Sequence, residues 1–138
     1  MNHKPTAGNC YQDCLIILLD GQYDSEQDGE CVLCHGYPKL TRDDGDVPRG
    51  TKYGHAWLER QAKVTEFAGT ALVGFDVVCI DVFTEMVVPK HLFYLAGEID
   101  DAEVSRYDRV RAEQLWDETG FAGPWAPEPD DAHFRDDP

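Results

Sequence analysis

Three residues of this chain are of the types that act together on a carbonyl: Cys10, His55 and Asp81. Cys10 follows Gly8 and Asn9 and leads into the apolar run Leu15-Ile16-Ile17-Leu18-Leu19, which predicts a buried helix over 10–19 with the cysteine in its first turn. The free N–H groups and the positive dipole end of that turn favour a thiolate. An imidazole within reach can take the thiol proton during attack and return it to the leaving amine. A carboxylate on the neighbouring strand can accept the other ring N–H and steady the imidazolium. The Cys10 N–H and the Asn9 amide are candidate oxyanion donors, and Asn9 is also the expected helix cap.

The elements that must position these groups follow in order. Gly21 is the expected left-handed stop of the first helix. Residues 1–8 read as a loose lead-in and 22–30 as a loop. Residues 30–35 form a short apolar run before Gly36, read as a strand. Residues 37–54, with Pro38, Asp43-Asp44-Gly45-Asp46, Pro48 and Gly50, read as a long loop of the kind that carries function. A second strand spans 55–60, with His55, Trp57 and Glu59 on one face and Ala56 and Leu58 on the other. Residues 61–74 are ambiguous, with 64–67 a candidate strand and 68–70 its turn. Residues 75–83 form the clearest strand, with Val77, Cys79 and Asp81 on one face and Val78, Ile80 and Val82 on the other. Thr84-Glu85 turns the chain into 86–88. Pro89 should open a helix over 90–96 closed by Gly97, and Asp100 or Asp101 should cap a short turn. Asp108 should cap a last helix to Thr119, with Val110, Leu115 and Trp116 inward and Gly120 as its stop. The order predicts an α+β fold: an N-terminal helix on a small antiparallel sheet, then C-terminal helices. One domain spans 1–123, and 124–138 is an acidic, unstructured tail that includes Trp125 and Phe134.

Composition narrows the partners. The chain has 138 residues, with 27 acidic against 12 basic, a formal net charge of −15. That argues against nucleic acid or an anionic membrane as a main partner and favours a soluble protein, with a basic partner or substrate as one reading and an acidic proteome as the other; a protein, peptide or small amide substrate is what the cysteine chemistry above would take. No stretch is long enough to span a bilayer, and Met1 to Pro5 lack an apolar signal core, so a cytoplasmic location is expected. Five cysteines without a secretion signal read as thiols, ligands or a nucleophile rather than a disulfide frame.

The pattern Gly8-x-Cys10, then His55-Ala56-Trp57-Leu58-Glu59, then Val78-Cys79-Ile80-Asp81 resembles the core of the transglutaminase-like branch of the papain-like cysteine hydrolase superfamily. The resemblance covers about residues 8–100 and implies a Cys10 nucleophile, a His55 base and an Asp81 orienter, with no cofactor. Val82 follows Asp81 where members of that branch often carry Pro or Thr. Residues 87–99 and Gly123-Pro124-Trp125 also resemble small proteins of actinobacterial phages and their hosts, which would place the protein in a host cytoplasm. The implied activity is cysteine-dependent acyl chemistry on an amide: peptidase, deamidase or transglutaminase-like transfer through a thioester.

Other readings stand beside this one. Tyr11, His35 and Trp57 are candidate substrate contacts, with core packing as the alternative for Trp57 and a structural role for His35. Cys14 reads as core. Cys10, Cys14, Cys31 and Cys34 offer four sulfurs at two short spacings, the pattern of a zinc-stabilised interaction domain. The Asp43 to Asp46 run lacks the glutamate an EF-hand loop requires, so a solvated loop is expected there. A non-catalytic binding or inhibitor module on the same fold is the remaining alternative.

Overall fold

The structure is a computed structural model and describes residues 9–24, 29–64, 74–127 and 132–133. The expected lead-in 1–8, the turn 68–70 and Phe134 lie outside the described residues. Of the candidate strand 64–67, Val64 alone is described.

Helix α1 spans Cys10–Asp20. Gly21 ends it at φ 69°, donating to the Leu18 carbonyl at 3.1 Å while Gln22 donates to that of Ile17 at 3.4 Å. These paired bonds satisfy carbonyls that the helix leaves open. The strands are β1 (Val32–Gly36), β2 (Lys52–Tyr53), β3 (His55–Val64), β4 (Gly74–Asp81) and β5 (Met86–Pro89). Helix α2 (Lys90–Gly97), strand β6 (Ser105–Tyr107), helix α3 (Arg109–Thr119) and strand β7 (Ala132–His133) complete the described elements. Five strands form one antiparallel sheet in the order β5-β4-β3-β1-β6, while β2 pairs with β7 in parallel. The fold class is therefore α+β, with the first helix on an antiparallel sheet as expected.

The side-chain period of two gives the sheet two different faces. Leu33, Ala56, Leu58, Ile80 and Val82 pack with Cys10, Tyr11, Cys14, Leu15, Ile17 and Leu18 of α1 and with Ala112 of α3. Cys34, Trp57 and Cys79 pack on the opposite face with Phe93 and Tyr94 of α2. Burying each large apolar side chain contributes about 1.5–3 kcal/mol, so the α1 face holds most of the core.

Several expectations are corrected. Asn9 occupies the cap position of α1, but its side chain makes no capping hydrogen bond; its carbonyl accepts from the Asp13 N–H at 2.8 Å. The inner face of α3 is Ala112, fully buried, while Val110 and Trp116 are exposed. Beside it Arg109 crosses to α1, donating from Nε to the Leu18 carbonyl at 3.2 Å and pairing with Asp24. The caps of α3 match expectation: the Asp108 carboxylate accepts from the Arg111 N–H at 2.8 Å and Gly120 is left-handed. Asp100 likewise caps the short turn Asp101–Glu103. The 37–54 segment is tied across itself: Leu40 and Tyr53 donate to Thr51 and Pro38. Its acidic run makes a tight turn, and the Asp43 carboxylate accepts the Arg49 N–H at 2.7 Å. Trp125, expected in the tail, packs against the α1 face together with Ala122.

Gly97 does not stop α2. It remains helical, and Glu98 takes the left-handed conformation at φ 50°. A Cβ on Gly97 would sit 3.1 Å from Pro38 and Ile99 side-chain atoms, so the glycine serves close approach instead. A left-handed non-glycine residue costs about 1–2 kcal/mol. Glu98→Gly should therefore raise stability by about 1 kcal/mol, read as a higher urea midpoint, and an unchanged or lower midpoint contradicts this.

Candidate functional site

Cys10 lies in the first turn of α1 and is 6 % exposed. Backbone N–H groups of Ala56, Tyr11 and Cys10 itself bear on its sulfur and lower the thiol pKa, but burial outweighs them and pushes it up to about 11. The expected thiolate is therefore not favoured: desolvation outweighs the amides at the helix start and on β3, and the thiol is protonated at neutral pH.

Ala56 immediately follows His55. The β3–β4 pairing runs from Leu58↔Ile80 to Val64↔Gly74, so residues 55–57 extend past its end. The Cys10 sulfur meets the Ala56 amide at this fork. Cys10 belongs to the α1 face, whereas His55 projects with Trp57 to the other face, the two rings stacked at 6.1 Å and 29°.

His55 is buried, and its Nδ1 has no hydrogen-bond partner. Burial pushes the imidazole below its ordinary 6.5, while the charge of Asp81 pulls it back up. Asp81 therefore acts on His55 through its field. Its Oδ1 accepts the Phe83 and Thr84 N–H groups at 3.1 and 3.4 Å, ending β4 in a turn. The expected imidazole–carboxylate hydrogen bond is not made at Nδ1.

The secondary candidates divide. Tyr11 is buried, its ring 4.8 Å from that of His35 and its hydroxyl against Gly54, where any Cβ would overlap it. His35 is 4 % exposed and caged by Tyr11, Tyr107 and Trp125, with both ring nitrogens unpartnered; burial alone pushes it down to about 3. Trp57 is fully buried and packs on Phe93 and Tyr94, so it is core beneath the site and offers no surface to a substrate. Asn9 is exposed beside Cys10.

The four-sulfur arrangement does not assemble. Cys10, Cys14 and Cys31 lie in the α1 cluster and Cys34 in the α2 cluster, so the sheet separates them. Among the described residues no group of three or more His, Cys, Asp or Glu side chains is placed to hold a metal ion.

Sequence reasoning gave Glu59 no role beyond its place in the strand motif. Glu59 is 3 % exposed and collects hydrogen bonds from Trp57, Tyr94 and Arg106. Burial pushes its carboxyl up, but these bonds and the Arg106 charge hold it below the usual value. The signal available in the sequence was a carboxylate on the same strand face as a Trp, where burial demands partners.

Among the described residues no helix is long and apolar enough to cross a membrane. Compared with models of protein families, with curated proteins and with solved structures, the chain finds no match.

Proposed function

We propose that the chain is a cysteine-dependent amide hydrolase or acyltransferase with a papain-like, transglutaminase-like core. The observation that carries this reading is the approach of the Cys10 sulfur, at the start of α1, to the amide of the residue after His55. The unpartnered Nδ1 of His55 at that end of β3 supports His55 as the base.

The groups begin as neutral thiol and neutral imidazole. As Sγ of Cys10 bonds to the amide carbonyl carbon, the imidazole takes the thiol proton. The tetrahedral intermediate collapses with loss of the C–N bond, and the imidazolium protonates the departing amine, leaving a thioester. Water, or a second amine, then attacks the thioester with His55 again accepting the proton; the C–S bond breaks, and the imidazolium returns that proton to the departing Cys10 sulfur, restoring the neutral pair. The Asp81 charge favours the imidazolium formed in each step. Backbone N–H groups at the start of α1 are the candidate donors to the oxyanion. A net charge of −15 suits a neutral or basic protein, peptide or small amide substrate in the cytoplasm.

A non-catalytic binding module on the same fold is the second reading, favoured by the 6 % exposure of Cys10 and by its raised thiol pKa. The two separate by incubating the protein with p-nitrophenyl acetate and with glutamine-bearing peptides, then reading intact mass. A hydroxylamine-labile acyl adduct on Cys10 is expected for the enzyme. No adduct with any donor contradicts the proposal and leaves the binding module.

A further inference from the structure

We propose that Glu59 is a positioning residue for His55 and acts on it through Trp57; the proposal rests on the reading of His55 as the base. The imidazole has no hydrogen bond at Nδ1. Its orientation is set by rings, with Tyr53 at 6.1 Å and 56° and Trp57 stacked at 6.1 Å and 29°. The angle of the Trp57 indole therefore bears directly on where the proton acceptor points.

That angle is fixed from two ends. At one end the six-membered ring of Trp57 fills the space over Gly36, where any Cβ would overlap it. At the other end Nε1–H donates to Oε2 of Glu59 at 3.0 Å. Glu59 is itself held on both oxygens: Oε1 accepts from Nε of Arg106 at 3.0 Å, and Oε2 accepts from the Tyr94 hydroxyl at 2.5 Å. Arg106 also donates to the Tyr94 hydroxyl at 2.8 Å and to Asp101 at 2.6 Å, and Lys90 pairs with Asp101 at 3.1 Å. A line of contacts thus runs from β6 and α2, through one carboxylate and one indole, to the imidazole.

A buried carboxylate is a poor way to stabilise a sheet, because its desolvation cost offsets much of the pairing energy. Its two oxygens are well suited to hold several donors at fixed angles, Trp57, Tyr94, Arg106 and the Cys79 thiol at 3.6 Å among them. Misplacing a catalytic group by about 1 Å can cost about a hundredfold in rate, so an indole free to tilt would be felt at Cys10.

The test uses the full chain as wild type, Glu59→Gln and Tyr94→Phe. Glu59→Gln keeps the side-chain shape but sets an NH2 among donors. Tyr94→Phe loosens Glu59 from the side away from His55 and keeps the proposal testable if Glu59→Gln fails to fold. The first readout is the His55 Cε1–H resonance, which senses the Trp57 ring current without any reaction. The second is the rate of acyl adduct formation on Cys10 with p-nitrophenyl acetate. The proposal expects the resonance to move by several linewidths in Glu59→Gln, less in Tyr94→Phe, and the adduct rate to fall about tenfold or more. An unmoved resonance and an unchanged rate in a folded variant that only melts earlier would reduce Glu59 to a structural pin and overturn the proposal. Absence of adduct in the wild type overturns the reading of His55 as base, whatever the resonance does.

Discussion

Replacing His35 with phenylalanine should flatten the acid limb of the stability curve. The His35 ring is 4 % exposed among Tyr11, Tyr107 and Trp125, and Gly123 lies so close that a Cβ there would be 2.6 Å from Cε1. Neither ring nitrogen has a partner, and burial holds the imidazole at about 3 against 6.5 when unfolded. The native state therefore keeps the neutral ring while the unfolded chain takes up a proton below pH 6.5. Stability from this site is intact above pH 6.5 and is lost as pH falls toward about 3, at about 1.4 kcal/mol per pH unit. The whole interval amounts to about 5 kcal/mol, comparable to the entire stability of a small domain. At neutral pH His35→Phe should be at least as stable as wild type, because each unsatisfied buried polar atom costs about 1–3 kcal/mol. Urea unfolding of both proteins between pH 4 and 7 reads the difference, and parallel acid slopes would contradict the account.

Cys10→Ala should abolish acyl adduct formation, and His55→Ala should lower its rate by about a hundred- to ten-thousandfold. A thiol at about 11 is ionised in only about one molecule in 10,000 at pH 7. Attack through pre-formed thiolate would forfeit that factor, whereas proton removal during attack recovers it, so nearly all the rate should pass through His55. Timed intact-mass spectra of wild type and both variants with p-nitrophenyl acetate measure this. A His55→Ala rate within threefold of wild type would remove the imidazole from the reaction.

Much of the scaffold was legible locally. The apolar run after Cys10 and the glycine at 21 mark α1, Asp108 and Gly120 mark α3, and the alternation through His55-Ala56-Trp57-Leu58-Glu59 assigns its residues to the faces they occupy. The rest depended on neighbours distant in sequence. Strand β6 has three residues and no hydrophobic pattern of its own, existing through its pairing with β1 at Leu33↔Tyr107. Arg106 meets Glu59 only because that pairing sets it opposite Cys34. Trp125 lies in a stretch whose composition reads as tail, yet its ring sits 5.2 Å from His35 and 5.0 Å from Tyr107. For Cys10, position at a helix start argued for a low pKa, but burial is a property of the assembled core and reversed the sign. For Asp81, the strand pattern located the carboxylate but not the turn amides that occupy its Oδ1.

The measurement that bears most directly on the central claim is the pH profile of Cys10 acylation in wild type and in His55→Ala. If His55 is the general base, the wild-type rate should rise through an ionisation below pH 6.5 and stay level across neutral pH, because burial lowers the imidazole and the thiol remains protonated up to about 11. In His55→Ala that early rise should vanish and the rate should follow thiol ionisation at high pH. A wild-type profile that climbs only toward pH 11, superimposable on that of the variant, would show that Cys10 reacts without His55.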